Sequence, residues 1–374
     1  MSQKKMRITH LVENLERGGL ERVVIDLVLE QASLGHDVQV ICLFGEGILA
    51  PELINAGIPV TGCHKQRGFD RRALRAIQKL LLSHRTQILH SHNPIPHYYG
   101  VMATLFMKGV TIGNTRHGMG NAPFHLRREF FYRLSLLRTS FVAMVCERAR
   151  QNFVRHGIVV PGKAKVVPNG IRLSLFKPRT ADARGLLVEQ LKLNAGSLCI
   201  VSVGRLNPVK DQATLLHALV HVRATIGNAV LVVIGGGQLQ NELAQLAKRL
   251  GIENAVYFLG DRDDVKALLP GFDIFVLPSL TEGYSISLLE ACASALPIVA
   301  TDVGGNAEIV RQGVNGTLVA PRKAEAMANA IIALAGDEKL RLRMGMRGRK
   351  WVLDNGTIEI MAQRYLKLYC GETA

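Results

Sequence analysis

Aromatic residues are scarce in this chain, at 5% with a single tryptophan. That is too few for a protein that stacks bases along a nucleic-acid strand. Long apolar runs are also missing. No window reaches the roughly 18–20 apolar residues that a spanning helix needs, and the opening stretch "MSQKKMRITHLVENL" breaks at Glu13, so it reads as a first strand rather than an export signal. The six cysteines (42, 63, 146, 199, 292, 370) are scattered, with no CxxC and no Cys/His cluster. This points to reduced thiols in a cytoplasmic protein and away from a structural zinc site. Acidic residues are short in one half only. Residues 1–180 carry 26 Lys and Arg against 11 Asp and Glu, a difference of +15, whereas residues 181–374 carry 20 against 19. A basic half beside a neutral half points to an anionic surface or substrate near the first, with a phospholipid leaflet and nucleic acid as the two candidates.

What is present is an alternation of short apolar strands and amphipathic helices. Strands are expected at 6–12, 37–44, 86–92, 110–115, 141–146 and 165–169, and again at 198–204, 229–235, 255–260, 273–279, 297–301 and 316–320. Helical patterns lie between them, as at 20–34 and 70–84. Near-continuous apolar strands separated by helices imply parallel sheets covered on both faces. A chain of 374 residues exceeds one ordinary core. The expectation is therefore two Rossmann-like, doubly wound α/β domains facing a central cleft, 1–175 and 176–356, with the terminal helix within 357–374 packed on the first.

In such folds ligands sit beyond the carboxyl ends of strands, and the residues of interest all follow strands. In "SLTEGYSISLLEACASALPIVATDVGG" (279–305), Glu282 and Glu290 stand in an otherwise core-like stretch. Carboxylates accept hydrogen bonds from vicinal hydroxyls, so two of them suit a molecule with two diol ends; a capping glutamate plus a solvated helix residue is the plainer reading. In "SVGRLNPVKD", Gly204, Arg205 and Lys210 sit at a strand end ahead of a helix, a diphosphate site if not simply surface cations. Gly18 and Gly19 precede the first helix and let backbone N–H groups approach an anion, or make a tight turn; "GGG" at 235–237 is a weaker case of the same. His117, before a glycine at a strand end, is a donor or acceptor for a sugar hydroxyl or a structural histidine. His90, His92 and His97 line a pocket or the core, with no metal spacing, and the expectation is that the chain carries no Asp-x-Asp element. The segment 123–138, "PFHLRREFFYRLSLLR", offers Phe124, Phe130, Phe131, Leu134 and Leu137 to a leaflet, with Arg127, Arg128, Arg133 and Arg138 for lipid phosphates, or else it packs on the core. The basic run "RRALRAIQK" (71–79) adds to the same surface.

"GGLERVV", "VPNGI", "SVGRLNPVKD", "PSLTEGYSISLLEACASALPIVATDVGGNAEIV" and "NGTLVAP" occur in this order along most of the chain. Together they resemble the retaining, two-Rossmann-domain glycosyltransferases of family 4, group 1, with the E-x7-E element the most specific part. The resemblance implies that Arg205 and Lys210 hold the donor diphosphate, Glu282 contacts the donor sugar and Glu290 binds the ribose. It places Gly19 near the distal phosphate, His117 beside the reacting sugar, and the backbone of Ser285, Ile286 and Ser287 near phosphates or sugar. Gly18, Gly204, Gly283 and Tyr284 complete the donor-binding set. Where relatives often read Gly-Phe-Gly, this chain has Gly283-Tyr284-Ser285, which leaves the donor sugar open; Asn306 stands where a small or Pro-like residue is expected. The implied reaction moves a sugar from a UDP- or GDP-sugar to a hydroxyl of a lipid-linked or glycan acceptor. It retains configuration and needs neither metal nor cofactor, with water excluded by domain closure. A bacterial polysaccharide or glycolipid pathway, on the cytosolic face of the inner membrane, fits the basic half. An epimerase on the same fold would convert donor without acceptor. A phosphorylase would need a pyridoxal-phosphate lysine, and no site for one is seen. A nucleic-acid binder ranks last, and no nucleic-acid partner is expected.

Overall fold

The computed structural model describes residues 5–119, 126–194 and 196–372. The chain divides into two compact units, residues 1–170 with 358–374, and 171–357. The change-over falls a few residues ahead of 175, where Ile171 pairs with Thr357.

In the first unit the strands are β1 (Arg7–Val12), β2 (Asp37–Cys42), β3 (Val60–Gly62), β4 (Ile88–His92), β5 (Thr111–Arg116), β6 (Phe141–Met144) and β7 (Ala164–Val166). They form one parallel sheet in the order β3-β2-β1-β4-β5-β6-β7. The short β3 is the strand that the apolar pattern does not announce: Val60–Gly62 is half-exposed at the sheet edge, so it carries no apolar run. Successive side chains on a strand point to opposite faces. On one face Leu11, Ile41 and Leu89 pack with Ile77, Leu81 and Tyr99 from the helices Arg71–Ser83 and Pro94–Ala103. Asp70 caps the first of these by accepting from the amides of Arg72 and Ala73, as a helix start there requires. On the other face lie His10, His90, Gln31, Tyr365 and Tyr369, all buried. The helix Ile358–Tyr369 supplies the two tyrosines and packs beside Gly19–Ser33.

The second unit holds β8 (Leu198–Val203), β9 (Ala229–Ile234), β10 (Val256–Phe258), β11 (Ile274–Leu277), β12 (Ile298–Thr301) and β13 (Gly316–Val319). The order β10-β9-β8-β11-β12-β13 is again all parallel. Its core is aliphatic: Ile200, Leu231, Val233, Ile274, Val276 and Val299 meet Leu215, Leu219, Met327 and Ile331 from the flanking helices. One ion cluster anchors the amino end of β11. Asp273 takes Arg179 at 2.5 Å, Arg184 at 3.1 Å and the Cys199 amide at 2.8 Å. Its bonds make this buried carboxylate structural.

In both sheets the strand order reverses once, between β1 and β4 and between β8 and β11. Ligands of such folds bind beyond the carboxyl ends at that point.

Candidate functional site

The loops after β8 and β11 meet at the reversal of the second sheet. After β8 the chain passes Gly204 and Arg205 to a short 3-10 turn, Pro208–Lys210, which Asn207 caps by accepting from the Lys210 amide at 3.2 Å. Asp211 then takes the left-handed conformation, φ +47°, and the helix Gln212–Thr225 begins. A non-glycine residue there carries some strain, and it lies just beyond Lys210. After β11 the loop runs through Ser279 and Glu282 to Ser285, whose hydroxyl accepts from the Leu288 amide and caps the helix Ile286–Ala293. The two loops are tied, since the Leu280 amide donates to the Val209 carbonyl at 2.8 Å.

That tie brings Lys210 Nζ within 2.5 Å of Glu282 Oε1, and Ser279 Oγ donates to the same oxygen at 2.6 Å. Glu282 Oε2 makes no hydrogen bond among the described residues. The side chains are 22% and 10% exposed, so removing either partner strands a largely desolvated charge, a loss of about 3 kcal/mol. One carboxylate oxygen is thus anchored and the other is unbonded among the described residues, with an ammonium beside it. Arg205 is exposed at the rim, and Glu290 is half-buried on the helix that Ser285 starts. Gly283 is half-buried and Tyr284 buried, and Ile286 and Ser287 form the first turn of that helix. The Gly283-Tyr284-Ser285 departure has a local cause here: Ser285 supplies a side-chain cap that glycine lacks.

Two sets of glycines that the sequence left unassigned, or assigned weakly, shape this site. Gly304 (φ +51°) follows β12, and a Cβ there would lie 1.7 Å from the Glu282 carbonyl oxygen. Beside it, the Gly305 amide donates to the Gly283 carbonyl at 3.0 Å. The "DVGG" loop is therefore the floor under Glu282. Asn306 holds it closed, its Nδ2 donating to the Thr301 carbonyl at 2.9 Å, which gives that unexpected residue a task. The "GGG" run does not meet its expectation as an anion loop. Cβ atoms on Gly235 and Gly237 would lie 2.3 Å from the carbonyls of Gly204 and Leu206, and the Gly236 amide is bound by Asp261 at 2.7 Å. These glycines let two backbones close-pack behind Arg205. The expectation that the chain carries no Asp-x-Asp element is wrong: Asp261-Arg262-Asp263 spells one. Asp261 is hooked to Gly236, and Arg262 pairs with Asp264 at 2.5 Å.

In the first unit, Gly18 caps the helix Gly19–Ser33 with no side-chain cap. Its φ of −177° is ordinary extended backbone, so the pair is not a left-handed turn. Asn93, directly after β4, has φ +67°. His117 follows β5 and is half-buried, and its Nε2 lies 3.1 Å from His92 Nδ1. Burial pulls its pKa down to about 3 and that of His10 to about 4, despite the Gln31 hydrogen bond that favours the charged His10. Both rings are neutral at pH 7. His97 is not part of that group. Its ring bonds Ser91 at 2.8 Å and Thr139 at 2.9 Å in the core. Among the described residues the one group with metal-ligand proximity is His10, His90 and His92. Both ring nitrogens of His10 and of His90 already have hydrogen-bond partners, so no set of free lone pairs converges there.

The basic helix splits by side chain. Phe124 and the side chains of Arg127 and Arg128 lie outside the described residues. Tyr132 is buried, donating to Asn114 at 2.8 Å. Phe130, Phe131, Leu134 and Leu137 are exposed, Leu137 at 78%. Arg138 staples the neighbouring loop by donating to the carbonyls of Thr104, Leu105 and Met107. That loop presents Leu105 and Phe106, the latter 90% exposed. Arg133, Lys108 and Arg138 are exposed on the same two segments.

Two family models match this chain in succession. "Glycosyltransferase Family 4" covers residues 17–175 and "Glycosyl transferases group 1" covers 184–351. The chain belongs to the group 1, family 4 glycosyltransferases. This glycosyltransferase is 27% identical over 285 residues to the UDP-Gal:alpha-D-GlcNAc-diphosphoundecaprenol alpha-1,3-galactosyltransferase of Escherichia coli, covering 73% of this chain and 72% of that one. It is 31% identical over 217 residues to the GDP-mannose-dependent alpha-(1-6)-phosphatidylinositol monomannoside mannosyltransferase of Mycobacterium tuberculosis, 56% of each chain. Its fold matches HepE of Anabaena, crystallised with UDP and glucose, at a TM-score of 0.87 and 22% identity over 98% of this chain and 99% of that one. The expected architecture of two parallel-sheet α/β domains holds.

Proposed function

We propose that this glycosyltransferase moves a sugar from a UDP- or GDP-sugar to a hydroxyl of a lipid-linked or glycan acceptor, with retention of anomeric configuration and without a metal. The observation that carries the reading is the Lys210–Glu282 pair at the reversal of the second sheet. An ammonium for a leaving diphosphate stands there against a carboxylate with one oxygen left for a sugar hydroxyl. Breaking the bond between the anomeric carbon and the phosphate oxygen moves negative charge onto the diphosphate. Lys210, Arg205 and the amides at the start of the Ile286–Ala293 helix stabilise that charge. Glu282 takes a donor-sugar hydroxyl and Glu290 the ribose diol. Gly19, Gly204, Gly283, Tyr284, Ser285 and Ser287 line the donor, and His117 is assigned to a hydroxyl of its sugar. With two cations supplied by the protein, a divalent ion is not required.

The two relatives named above act on a diphosphoundecaprenol and on a phosphatidylinositol mannoside, which supports a lipid-linked acceptor. The exposed apolar and cationic side chains at 105–108 and 130–138 support contact with an anionic membrane surface. No described helix is long and apolar enough to cross a membrane.

A thermal-melting screen of UDP- and GDP-sugars tests the donor class, because a ligand that binds only the native state raises its apparent stability. One nucleotide-sugar family is expected to raise the melting temperature, and the rise to vanish in Lys210→Met. Stabilisation by none, or by all equally with Lys210→Met unaffected, refutes the reading. Turnover unchanged by EDTA, and an axial or equatorial product linkage that matches the donor by NMR, test the metal and stereochemical parts.

A further inference from the structure

Behind His117 the first unit buries a continuous chain of hydrogen bonds. Gln31, on the helix Gly19–Ser33, places Oε1 2.8 Å from His10 Nε2. His10 Nδ1 is 3.0 Å from His92 Nε2, and His92 Nδ1 is 3.1 Å from His117 Nε2. Gln31 Nε2 donates to the Tyr369 hydroxyl at 3.1 Å, and that hydroxyl lies 2.8 Å from His90 Nδ1. His90 Nε2 continues to Thr115 Oγ1 at 2.7 Å, and Thr115 to the Tyr365 hydroxyl at 2.8 Å. Gln31, His10, His90, His92, Thr115, Tyr365 and Tyr369 are all buried; His117 alone is half-open.

The direction of this chain is set at one end. Gln31 uses its NH2 on Tyr369, so its carbonyl oxygen faces His10, and an amide oxygen only accepts. His10 must therefore carry its proton on Nε2. A neutral imidazole has one N–H, so His10 Nδ1 is an acceptor and His92 donates to it from Nε2. His92 Nδ1 is then an acceptor in turn, and His117 donates to it from Nε2. What remains on His117 is a lone pair on Nδ1, which makes no hydrogen bond among the described residues.

We infer that Gln31 is a positioning residue that, through His10 and His92, fixes the tautomer of His117, so that His117 meets its ligand as a hydrogen-bond acceptor and selects a sugar with a hydroxyl donor at that point. Only the ligand half of this rests on the function proposed above; the tautomer does not. Burial, which holds all these imidazoles neutral, makes the order of donors meaningful, since a charged ring would donate from both nitrogens. A merely structural network would hold the ring in place without caring which nitrogen bears the proton.

The test is a long-range proton–nitrogen NMR spectrum of the ligand-free, full-length chain with 15N-labelled histidine, near pH 7. His117 is expected neutral and protonated on Nε2. Protonation on Nδ1 would overturn the inference, because it would mean that the Gln31 amide faces the other way. Gln31→Met keeps the side-chain volume and removes the acceptor. Its His117 is expected to show a mixture of tautomers, with kcat/KM for the donor lowered about tenfold, the low end for such outer partners. An unmoved tautomer in folded Gln31→Met contradicts the relay. If that variant does not fold, the wild-type spectrum alone still decides. The expected tautomer in a protein that transfers no sugar would sink the proposed function and leave the relay standing.

Discussion

The two units share a reversing strand order and differ in what fills it. In the second, the packed faces of the sheet are almost wholly apolar, with strands such as "AVLVVI" at 229–234, and its two histidines, His217 and His221, are exposed. The site there is made in the loops, where Lys210 and Glu282 neutralise one another. In the first, polar chemistry extends into the sheet itself. β4 reads "ILHSH" and every residue of it is buried. Its histidines, with Thr115, Gln31 and two tyrosines, replace an aliphatic face by a bonded network. A face of this kind is less forgiving than an aliphatic one, because each lost partner leaves a buried group unsatisfied. Paired loops over an apolar sheet can hold a highly charged ligand without disturbing the core. A polar core gives up stability to control the orientation and protonation of one residue at its edge.

Substitutions can break that contrast from either side. The largest effect is expected in the loops of the second unit. Lys210→Met and Glu282→Gln should each lower kcat on the order of 10²–10³-fold, while far-ultraviolet circular dichroism stays native. A variant that kept its rate would remove the pair from the mechanism. Next comes Gly304→Ala, whose new methyl would collide with the Glu282 carbonyl. A displacement of about 1 Å in the loop should lower the rate about 100-fold; a wild-type rate would show that the floor under Glu282 yields freely. The third effect is on stability and belongs to the first unit. His10, His97 and His117 have folded-state pKa values lowered from 6.5 to about 4, 3 and 3, and His90 and His92 lie well below 6.5, all by burial. The unfolded chain binds more protons than the folded one below pH 6.5. Stability is therefore whole above about pH 6.5 and falls as pH drops from there toward 4, by a few kcal/mol or more. Chemical denaturation followed across that range should show the loss, and His90→Phe should blunt it; a flat profile would contradict buried neutral imidazoles. The smallest effect is at the surface. Phe106→Ser should weaken binding to anionic vesicles about tenfold, as expected for withdrawing one aromatic ring from the bilayer interface. Equal binding would move the membrane contact elsewhere.

Much of this was legible before the fold was known. Strand positions follow from apolar runs, and only the half-exposed β3 escaped, since an edge strand of three residues has no run to show. Arg205, Lys210, Glu282 and Glu290 stood out because charged residues after apolar strands are conspicuous. What the sequence could not show is contact across loops. Nothing in "DVGG" says that Gly304 supports Glu282, and nothing in "GGG" says that its glycines admit the backbone of 204–206. The histidine network was the hardest to see. His10, Gln31, His92 and Tyr369 are dispersed through the chain and meet only because β1 and β4 are neighbours and the last helix returns to the first unit. Its one sequence trace is polar residues recurring where a buried strand should be aliphatic, as in "ILHSH".

The central claim is that the donor's diphosphate binds at the reversal of the second sheet, against Lys210 and Arg205, with the sugar on Glu282. A crystal structure of the chain with the nucleotide-sugar that most raises its melting temperature tests this most directly. The account predicts phosphate oxygens within hydrogen-bond distance of Lys210 Nζ and the Arg205 guanidinium, and a sugar hydroxyl on Glu282 Oε2. A nucleotide seated elsewhere, with the Lys210–Glu282 pair undisturbed and facing only solvent, would contradict it.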